Sequence, residues 1–262
     1  MPQDARVFLH LVRIDSCIII SAALFVPMLA RSGNLRQSLV WTAPLFLISA
    51  CTYLVNSIND IERDKTNHPE RPLPSGRLSP ATAAILYFAL LATALLTVKH
   101  HIPTNSTWWY YWLIILVISY SYVADYLPAL KAPYVAFVST LPILIVRSLY
   151  INDRRLLAVA GALFFINLGR EICLNFIDRS GDPPSRMHMI PPGQVAGLAL
   201  STQAIGIAIL STLTGKALDT LAILAFITIL IVSGSRWLRS GEPKRAAQVM
   251  KIYFIAGIYF LV

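Results

Sequence analysis

Two short polar patterns in this sequence carry the side chains best suited to binding a cation. Both follow a polar-x-x-Asp-x-x-x-Asp spacing, and the second lies 118 residues after the first. The two sets are Ser57, Asp60 and Asp64, followed by Asn175, Asp178 and Asp182. Positions three, four and seven residues apart lie on one face of a helix. Each pattern is therefore expected to point its oxygen atoms in one direction.

Each pattern ends an apolar run and opens into a Pro-rich loop, and Asn56 adds a further amide oxygen to the first. We call residues 56–64 the first acidic motif and residues 175–182 the second acidic motif. Magnesium prefers oxygen ligands and binds through a few carboxylates together with substrate phosphates. The alternative is that these acids end helices and pair with nearby Arg and Lys. Two copies with identical spacing favour a magnesium site for a diphosphate.

The elements that must position these motifs are membrane helices. The chain has 262 residues, of which 56% are hydrophobic and 13% charged, whereas a soluble domain carries about 25% charged residues. Apolar stretches recur near the roughly 20 residues that cross a bilayer. The predicted fold is an all-α polytopic membrane protein with about nine transmembrane helices. The predicted spans are about 7–30, 38–58, 81–99, 107–124, 133–150, 155–177, 194–214, 217–235 and 246–262.

The repeated spacing also indicates an internal duplication. Each copy is followed by a Pro- and Gly-containing loop and a fresh helix, and Gly76 and Gly193 keep nearly the same offset. We therefore predict a single transmembrane domain over 1–262, with halves of roughly 1–131 and 132–262. Because transporters also contain repeats, duplication alone does not separate an enzyme from a carrier.

The net charge of +9 is distributed as in a membrane protein, which argues against nucleic-acid binding. If the N-terminus is cytoplasmic, the inner segments hold Arg6, Arg63, Lys65, Arg71, Arg77, Lys131, Arg179, Arg186, Arg236, Arg239, Lys244 and Arg245. The outer loops then hold only Arg31, Arg36, Lys99, Arg154, Arg155 and Lys216. This excess of positive charge inside predicts that the N-terminus and both acidic motifs are cytoplasmic.

Basic residues near the motifs could bind the anionic part of a substrate. Arg71 follows the first acidic motif, Lys131 lies in a short loop after the fourth predicted span, and Arg170 stands beside Glu171. Arg13 falls inside the first predicted span, where a charge needs a partner or a polar cavity. Such cations stabilise departing phosphate oxygens. The three cysteines lie in predicted spans without metal-ligand spacing, so we expect them to be buried packing residues.

These residues together resemble the UbiA family of intramembrane prenyltransferases. Residues 56–76, NSINDIERDKTNHPERPLPSG, are similar to the family's first Asp-rich motif and its Asn-x-Pro-x-Arg-Pro loop. Residues 170–182, REICLNFIDRSGD, are similar to its second motif, which follows Arg-Glu. Tyr120-Ser121 and the later Lys131 resemble its Tyr-Ser…Lys element, here with a longer spacer. The resemblance covers nearly the whole chain.

The resemblance implies helices around a central cavity and two magnesium ions that bridge the acidic motifs to a prenyl diphosphate. The metal ligands that it implies are Asn56, Asp60, Asp64, Asn175, Asp178 and Asp182. The diphosphate-binding residues that it implies are Arg13, Arg71, Lys131 and, in support, Arg170. Tyr120 would face the allylic cation through its ring. Departures from the family's motifs are Ser57 and Asn175, each replacing an Asp and so removing a negative charge.

We expect the prenyl group to pass to a small lipophilic acceptor, with an aromatic one favoured. Asp125 and Glu171 are candidates for the base that takes the acceptor's proton. The changes at Ser57 and Asn175 raise an alternative, a terpene cyclase of the same superfamily that needs no acceptor. A secondary transporter with midplane carboxylates fits less well, because these acids lie at the ends of spans beside Pro-rich loops.

Overall fold

The structure is a computed structural model that describes residues 7–9, 11–149, 154–177 and 191–212. In these ranges all regular secondary structure is helical. The α-helices that follow residue 13 are α1 (Ile14–Ser32), α2 (Leu35–Asn59), α3 (Ile61–Asn67), α4 (Pro80–His101), α5 (Thr104–Tyr126), α6 (Lys131–Val138), α7 (Leu141–Leu149), α8 (Arg154–Ile177) and α9 (Pro192–Ser211). A 3-10 turn at Pro128–Leu130 precedes α6.

Six segments of the described chain are long and apolar enough to cross a membrane. They are Ile14–Ser32, Leu35–Asn59, Pro80–His101, Pro128–Leu149, Arg154–Phe176 and Gly193–Ser211. Helix α5 contains the predicted span 107–124 but is not among the six, because its Trp- and Tyr-rich first half lowers its mean hydropathy. The last two predicted spans lie outside the described residues. The multi-pass, all-α fold is confirmed, while the total of nine spans stays a prediction.

The described residues up to 121 form one compact unit. Helix α2 packs against both α1 and α4. A core cluster joins Leu54 of α2 to Leu11, Ala83 and Leu73, and Leu73 belongs to the loop before α4. Tyr110 of α5 is fully buried, and its hydroxyl donates a 2.7 Å hydrogen bond to the carbonyl oxygen of Trp41. The core cluster packs the end of α2 that carries the first acidic motif, and the Tyr110–Trp41 hydrogen bond holds the opposite end.

The described residues from 122 onward form a second compact unit, in which α8 packs against α6, α7 and α9. Helices α8 and α9 approach so closely that two positions admit only glycine. A Cβ atom added at Gly169 would lie 2.4 Å from the carbonyl oxygen of Ala199, and one at Gly206 would lie 2.6 Å from that of Ala162. Small residues at such contacts let the backbones of membrane helices pack directly.

All three cysteines, Cys17, Cys51 and Cys173, are buried and have free thiols. The thiol of Cys17 donates to the carbonyl oxygen of Val12 at 3.1 Å, and that of Cys51 donates to the carbonyl oxygen of Tyr87 at 3.9 Å. Their burial is as predicted.

Candidate functional site

The first acidic motif spans the junction of two helices rather than one continuous helix. Helix α2 ends at Asn59, Asp60 has φ −94° and ψ 11°, and α3 begins at Ile61. The backbone N–H of Asp60 still donates to Asn56 at 2.8 Å, and that of Asp64 donates to Asp60 at 2.7 Å. The chain therefore bends without losing its helical hydrogen bonds, and Ser57 and Asp64 still meet at one cavity.

A cavity of about 480 Å³ lies at this junction. Its polar lining consists of Arg13, Asp15, Ser57, Asp64, His68, Glu70 and Arg71. Asp60 is not part of this lining: its carboxylate accepts a 2.7 Å hydrogen bond from Arg63. The cavity thus brings guanidinium and carboxylate groups together at a helix end, which is a suitable environment for an anion with bound cations.

The cavity contains an ion pair between Asp64 and Arg71. The Arg71 Nη1 atom lies 2.6 Å from each carboxylate oxygen of Asp64. The side chain of Asp64 is 6% exposed and that of Arg71 is 22% exposed. Removing one partner of such a pair leaves a poorly solvated charge, so the pair should resist disruption by water alone.

The loop that carries Arg71 is anchored on both sides of it. The Arg71 N–H donates to the carbonyl oxygen of His68 at 3.1 Å, and the Arg71 carbonyl accepts from Ser75 N–H at 3.1 Å. Leu73 is buried in the core of the first unit. Gly76 has φ +72°, a left-handed conformation that glycine adopts without strain. The Pro-rich sequence therefore forms a fixed turn that returns Arg71 onto α3.

Arg13 lies at the start of α1, which corrects the prediction that it falls inside the first span. It has φ 48° and ψ 60°, the left-handed region, and α1 begins at Ile14. Among the described residues it is the one non-glycine position with positive φ, a conformation that costs about 1–3 kcal/mol. Its guanidinium carbon lies 5.3 Å from the ring centre of Tyr53 on α2. The break in the helix places this cation at the cavity rather than within the apolar span.

Asn56 offers a side-chain oxygen that suits a metal ion. Its Oδ1 atom is buried and has no hydrogen-bond partner, an arrangement that is costly unless a ligand completes it. In the part of the chain that the structure describes, no three His, Cys, Asp or Glu side chains come close enough together to hold a metal. Asp178 and Asp182 of the second acidic motif lie outside the described residues. The oxygen donors of the first motif fit a hard cation such as magnesium.

The remaining predicted site residues lie on α5, α6 and α8. Tyr120 is half-buried on α5, Asp125 is exposed on the same helix, and Lys131 is half-buried as the first residue of α6. On α8, Arg170 donates to the carboxylate of the buried Glu171 at 2.6 Å, and Asn175 is half-buried.

The sequence reasoning missed cavity-lining residues, His68 among them, and it missed Tyr53, which contacts the lining residue Arg13. His68 occupies the variable position of the Asn-x-Pro-x-Arg-Pro loop and lines the cavity. Tyr53 contacts Arg13 and stands four residues before Ser57. That spacing is the usable signal, because residues four apart share a helix face.

The fold and the cavity define a polytopic helical membrane protein with a charged binding site at a helix end. The chain belongs to the UbiA prenyltransferase family, whose sequence profile matches residues 18–258. A digeranylgeranylglyceryl phosphate synthase from Sulfolobus acidocaldarius is 25% identical to it, over 98% of this chain and 96% of that protein.

Solved structures of UbiA homologues share the fold. The apo structure of a homologue from Aeropyrum pernix K1 has a TM-score of 0.74 at 16% identity and covers 93% of this chain and 96% of that one. A homologue from Archaeoglobus fulgidus, bound to DMAPP and Mg²⁺, has a TM-score of 0.65 at 15% identity, with 97% and 98% coverage. The prediction of family from the two acidic motifs is therefore confirmed.

Proposed function

We propose that this chain catalyses the magnesium-dependent ionisation of a prenyl diphosphate in the membrane and transfers the prenyl group to a small lipophilic acceptor. The observation that carries the proposal is the cavity in which Arg13 and Arg71 meet Ser57 and Asp64. Membership of the UbiA family supports it, as does the Archaeoglobus fulgidus homologue that binds DMAPP and Mg²⁺.

The magnesium ligands we propose are the oxygen-bearing residues of both acidic motifs, which would bind two or more ions. They are Asn56, Asp60, Asp64, Asn175, Asp178 and Asp182, with Ser57 as a further oxygen donor. Bound magnesium would supply Lewis-acid stabilisation of the phosphate oxygens. Asn56 fits this role because its buried Oδ1 atom lacks a partner.

The diphosphate itself would be bound by Arg13, Arg71 and Lys131, with Arg170 in support. Arg71 contacts the Asp64 carboxylate, and in the proposed reaction it exchanges this partner for the substrate. Its guanidinium turns from the carboxylate to a phosphate oxygen, and the carboxylate of Asp64 then becomes available as an oxygen ligand. Metal and diphosphate would therefore bind together more favourably than either alone, which is a coupling between two ligands.

The proposed reaction begins with heterolysis of the bond between the prenyl carbon and the diphosphate oxygen. The electron pair leaves with the diphosphate, where Arg71 and Lys131 stabilise the developing charge. The ring of Tyr120 would stabilise the allylic cation. A nucleophilic atom of the acceptor then forms the new bond, and its proton passes to a base, for which Glu171 and Asp125 are the candidates.

Two observations point to different classes of acceptor. The sequence favours an aromatic acceptor through its family resemblance, whereas the relative from Sulfolobus acidocaldarius is named for a glyceryl phosphate product. A second candidate function, cyclisation without an acceptor, is favoured by Ser57 and Asn175, where negative charge is missing from both motifs. All three outcomes require the same ionisation step.

The test uses purified protein, magnesium, and geranyl, farnesyl or geranylgeranyl diphosphate. Diphosphate release and extracted products are measured without an acceptor, with a phenolic acceptor, and with a prenylglyceryl phosphate. Release that depends on an acceptor supports the transferase, and a cyclic hydrocarbon formed without one supports the cyclase. Asp60→Asn and Asp178→Asn should abolish release while the protein stays folded. Near-full activity in either variant would contradict the two-motif metal site.

A further inference from the structure

Tyr53 occupies the same face of α2 as the first acidic motif. It stands three residues before Asn56 and four before Ser57, so its side chain lies one helical turn further along α2 from the cavity end. Its half-buried ring faces the guanidinium of Arg13, with 5.3 Å between the guanidinium carbon and the ring centre. Arg13 in turn lines the cavity with Asp64 and Arg71.

Arg13 combines an unusual backbone conformation with a long side chain. Its backbone is in the left-handed region directly before α1, and its side chain is exposed. A long exposed side chain loses much rotamer freedom when it is held in one place. A guanidinium that contacts an aromatic ring keeps N–H groups that can donate to phosphate oxygens.

We infer that Tyr53 is a positioning residue that holds the Arg13 guanidinium at the cavity for the diphosphate. The inference rests on the proposed function, because it assigns Tyr53 a role only through Arg13 and the anion that Arg13 binds. The interaction requires the face of the ring rather than the hydroxyl group. Removing the ring should therefore weaken diphosphate binding, and removing the hydroxyl should leave it intact.

The test measures the affinity of the full chain in detergent for inorganic pyrophosphate at saturating magnesium, by titration calorimetry. Tyr53→Leu should weaken binding about fivefold, which corresponds to about 1 kcal/mol, and Tyr53→Phe should bind as the unaltered protein does. Arg13→Gln should weaken binding at least as much. In the Arg13→Gln background, Tyr53→Leu should cause no further loss of affinity, because Tyr53 then has no guanidinium to position.

Tyr87→Leu is the matched control, since Tyr87 is a half-buried tyrosine in the same unit whose ring packs against the core cluster of Leu54 and Ala83. Additive losses from Arg13→Gln and Tyr53→Leu, or equal losses from Tyr53→Phe and Tyr53→Leu, would overturn the inference. Should Tyr53→Leu not fold, Tyr53→Met keeps the bulk without the ring. If the unaltered protein binds magnesium pyrophosphate and Tyr53→Leu binds it equally well, only the positioning role falls. If the unaltered protein does not bind it, the proposed function falls as well.

Discussion

The Asp64–Arg71 and Arg170–Glu171 ion pairs have the same N–O distance of 2.6 Å, yet they constrain the chain differently. The first joins α3 to a residue seven positions later in a loop, so it closes a turn. The second joins neighbours on α8, which the helix already holds close together. A contact between segments thus supports local tertiary structure, whereas a contact within one helix only orients side chains.

Among substitutions that test this comparison of the two ion pairs, Arg71→Gln should have the largest effect. It removes a ligand of the proposed diphosphate and releases the Asp64 carboxylate, so two affinities should move in opposite directions. Pyrophosphate affinity should fall about 100-fold, as expected for loss of charge-assisted hydrogen bonds of about 1.5–3 kcal/mol. The affinity for Mn²⁺ without pyrophosphate should rise, as measured by electron paramagnetic resonance. Arg77→Gln, an exposed change in the same loop, is the control, and an unchanged Mn²⁺ affinity in Arg71→Gln would contradict the exchange of partners.

Asp64→Asn tests the structural side of the same ion pair. It should lower the free energy of unfolding of the ligand-free protein by about 1–3 kcal/mol, because Arg71 then lacks its counter-charge in a largely buried site. Thermal unfolding of the protein in detergent, without magnesium, measures this. An unfolding midpoint equal to that of the unaltered protein would show that the pair does not stabilise the turn.

Glu171→Gln should have a smaller effect on unfolding, about 1 kcal/mol or less. Arg170 is 28% exposed and can turn to solvent, and no loop depends on the pair. The same thermal measurement applies, with Asp64→Asn as the reference. A larger loss for Glu171→Gln than for Asp64→Asn would reverse the comparison. Any change in product formation without a change in stability would instead support Glu171 as the proposed base.

Ser57→Asp tests the proposed magnesium site beside the Asp64–Arg71 ion pair rather than the ion pair itself. It restores the negative charge that the family's first motif has, and it does so beside Asp64 in the cavity. The magnesium concentration for half-maximal diphosphate release should fall by about tenfold or less, because metal affinity follows the number of ligand charges. Asn105→Asp, which adds a charge at an exposed position near the start of α5, is the control. No change with Ser57→Asp would remove position 57 from the metal site.

Hydropathy predicted the multi-pass helical fold, and the two acidic motifs predicted the family. Of the polar residues that line the cavity, the prediction named Arg13, Ser57, Asp64 and Arg71 but not Asp15, His68 or Glu70. Hydropathy and spacing could not predict the left-handed break at Arg13, because an apolar run that contains Arg13 and Asp15 is still typical of a continuous helix. Nor could they predict the Asp64–Arg71 pair, since it depends on a loop that turns back through Gly76. Tyr53 was overlooked for a related reason, as its role depends on a partner forty residues earlier in the chain. Periodicity describes single elements, and these features arise between elements.

Because all three native cysteines are buried, the orientation of the chain in the membrane can be mapped by labelling cysteines introduced at exposed positions. Because Cys17, Cys51 and Cys173 are at most 2% exposed, a maleimide that cannot cross membranes should leave them unlabelled in sealed vesicles. A single cysteine introduced by Ser75→Cys or Asn105→Cys, both at exposed positions, then reports one side of the bilayer without background. Inside-out vesicles should label the first variant and right-side-out vesicles the second, if the Arg71 loop faces the cytoplasm. The native thiols need not be removed first, so the topology can be read on the intact sequence.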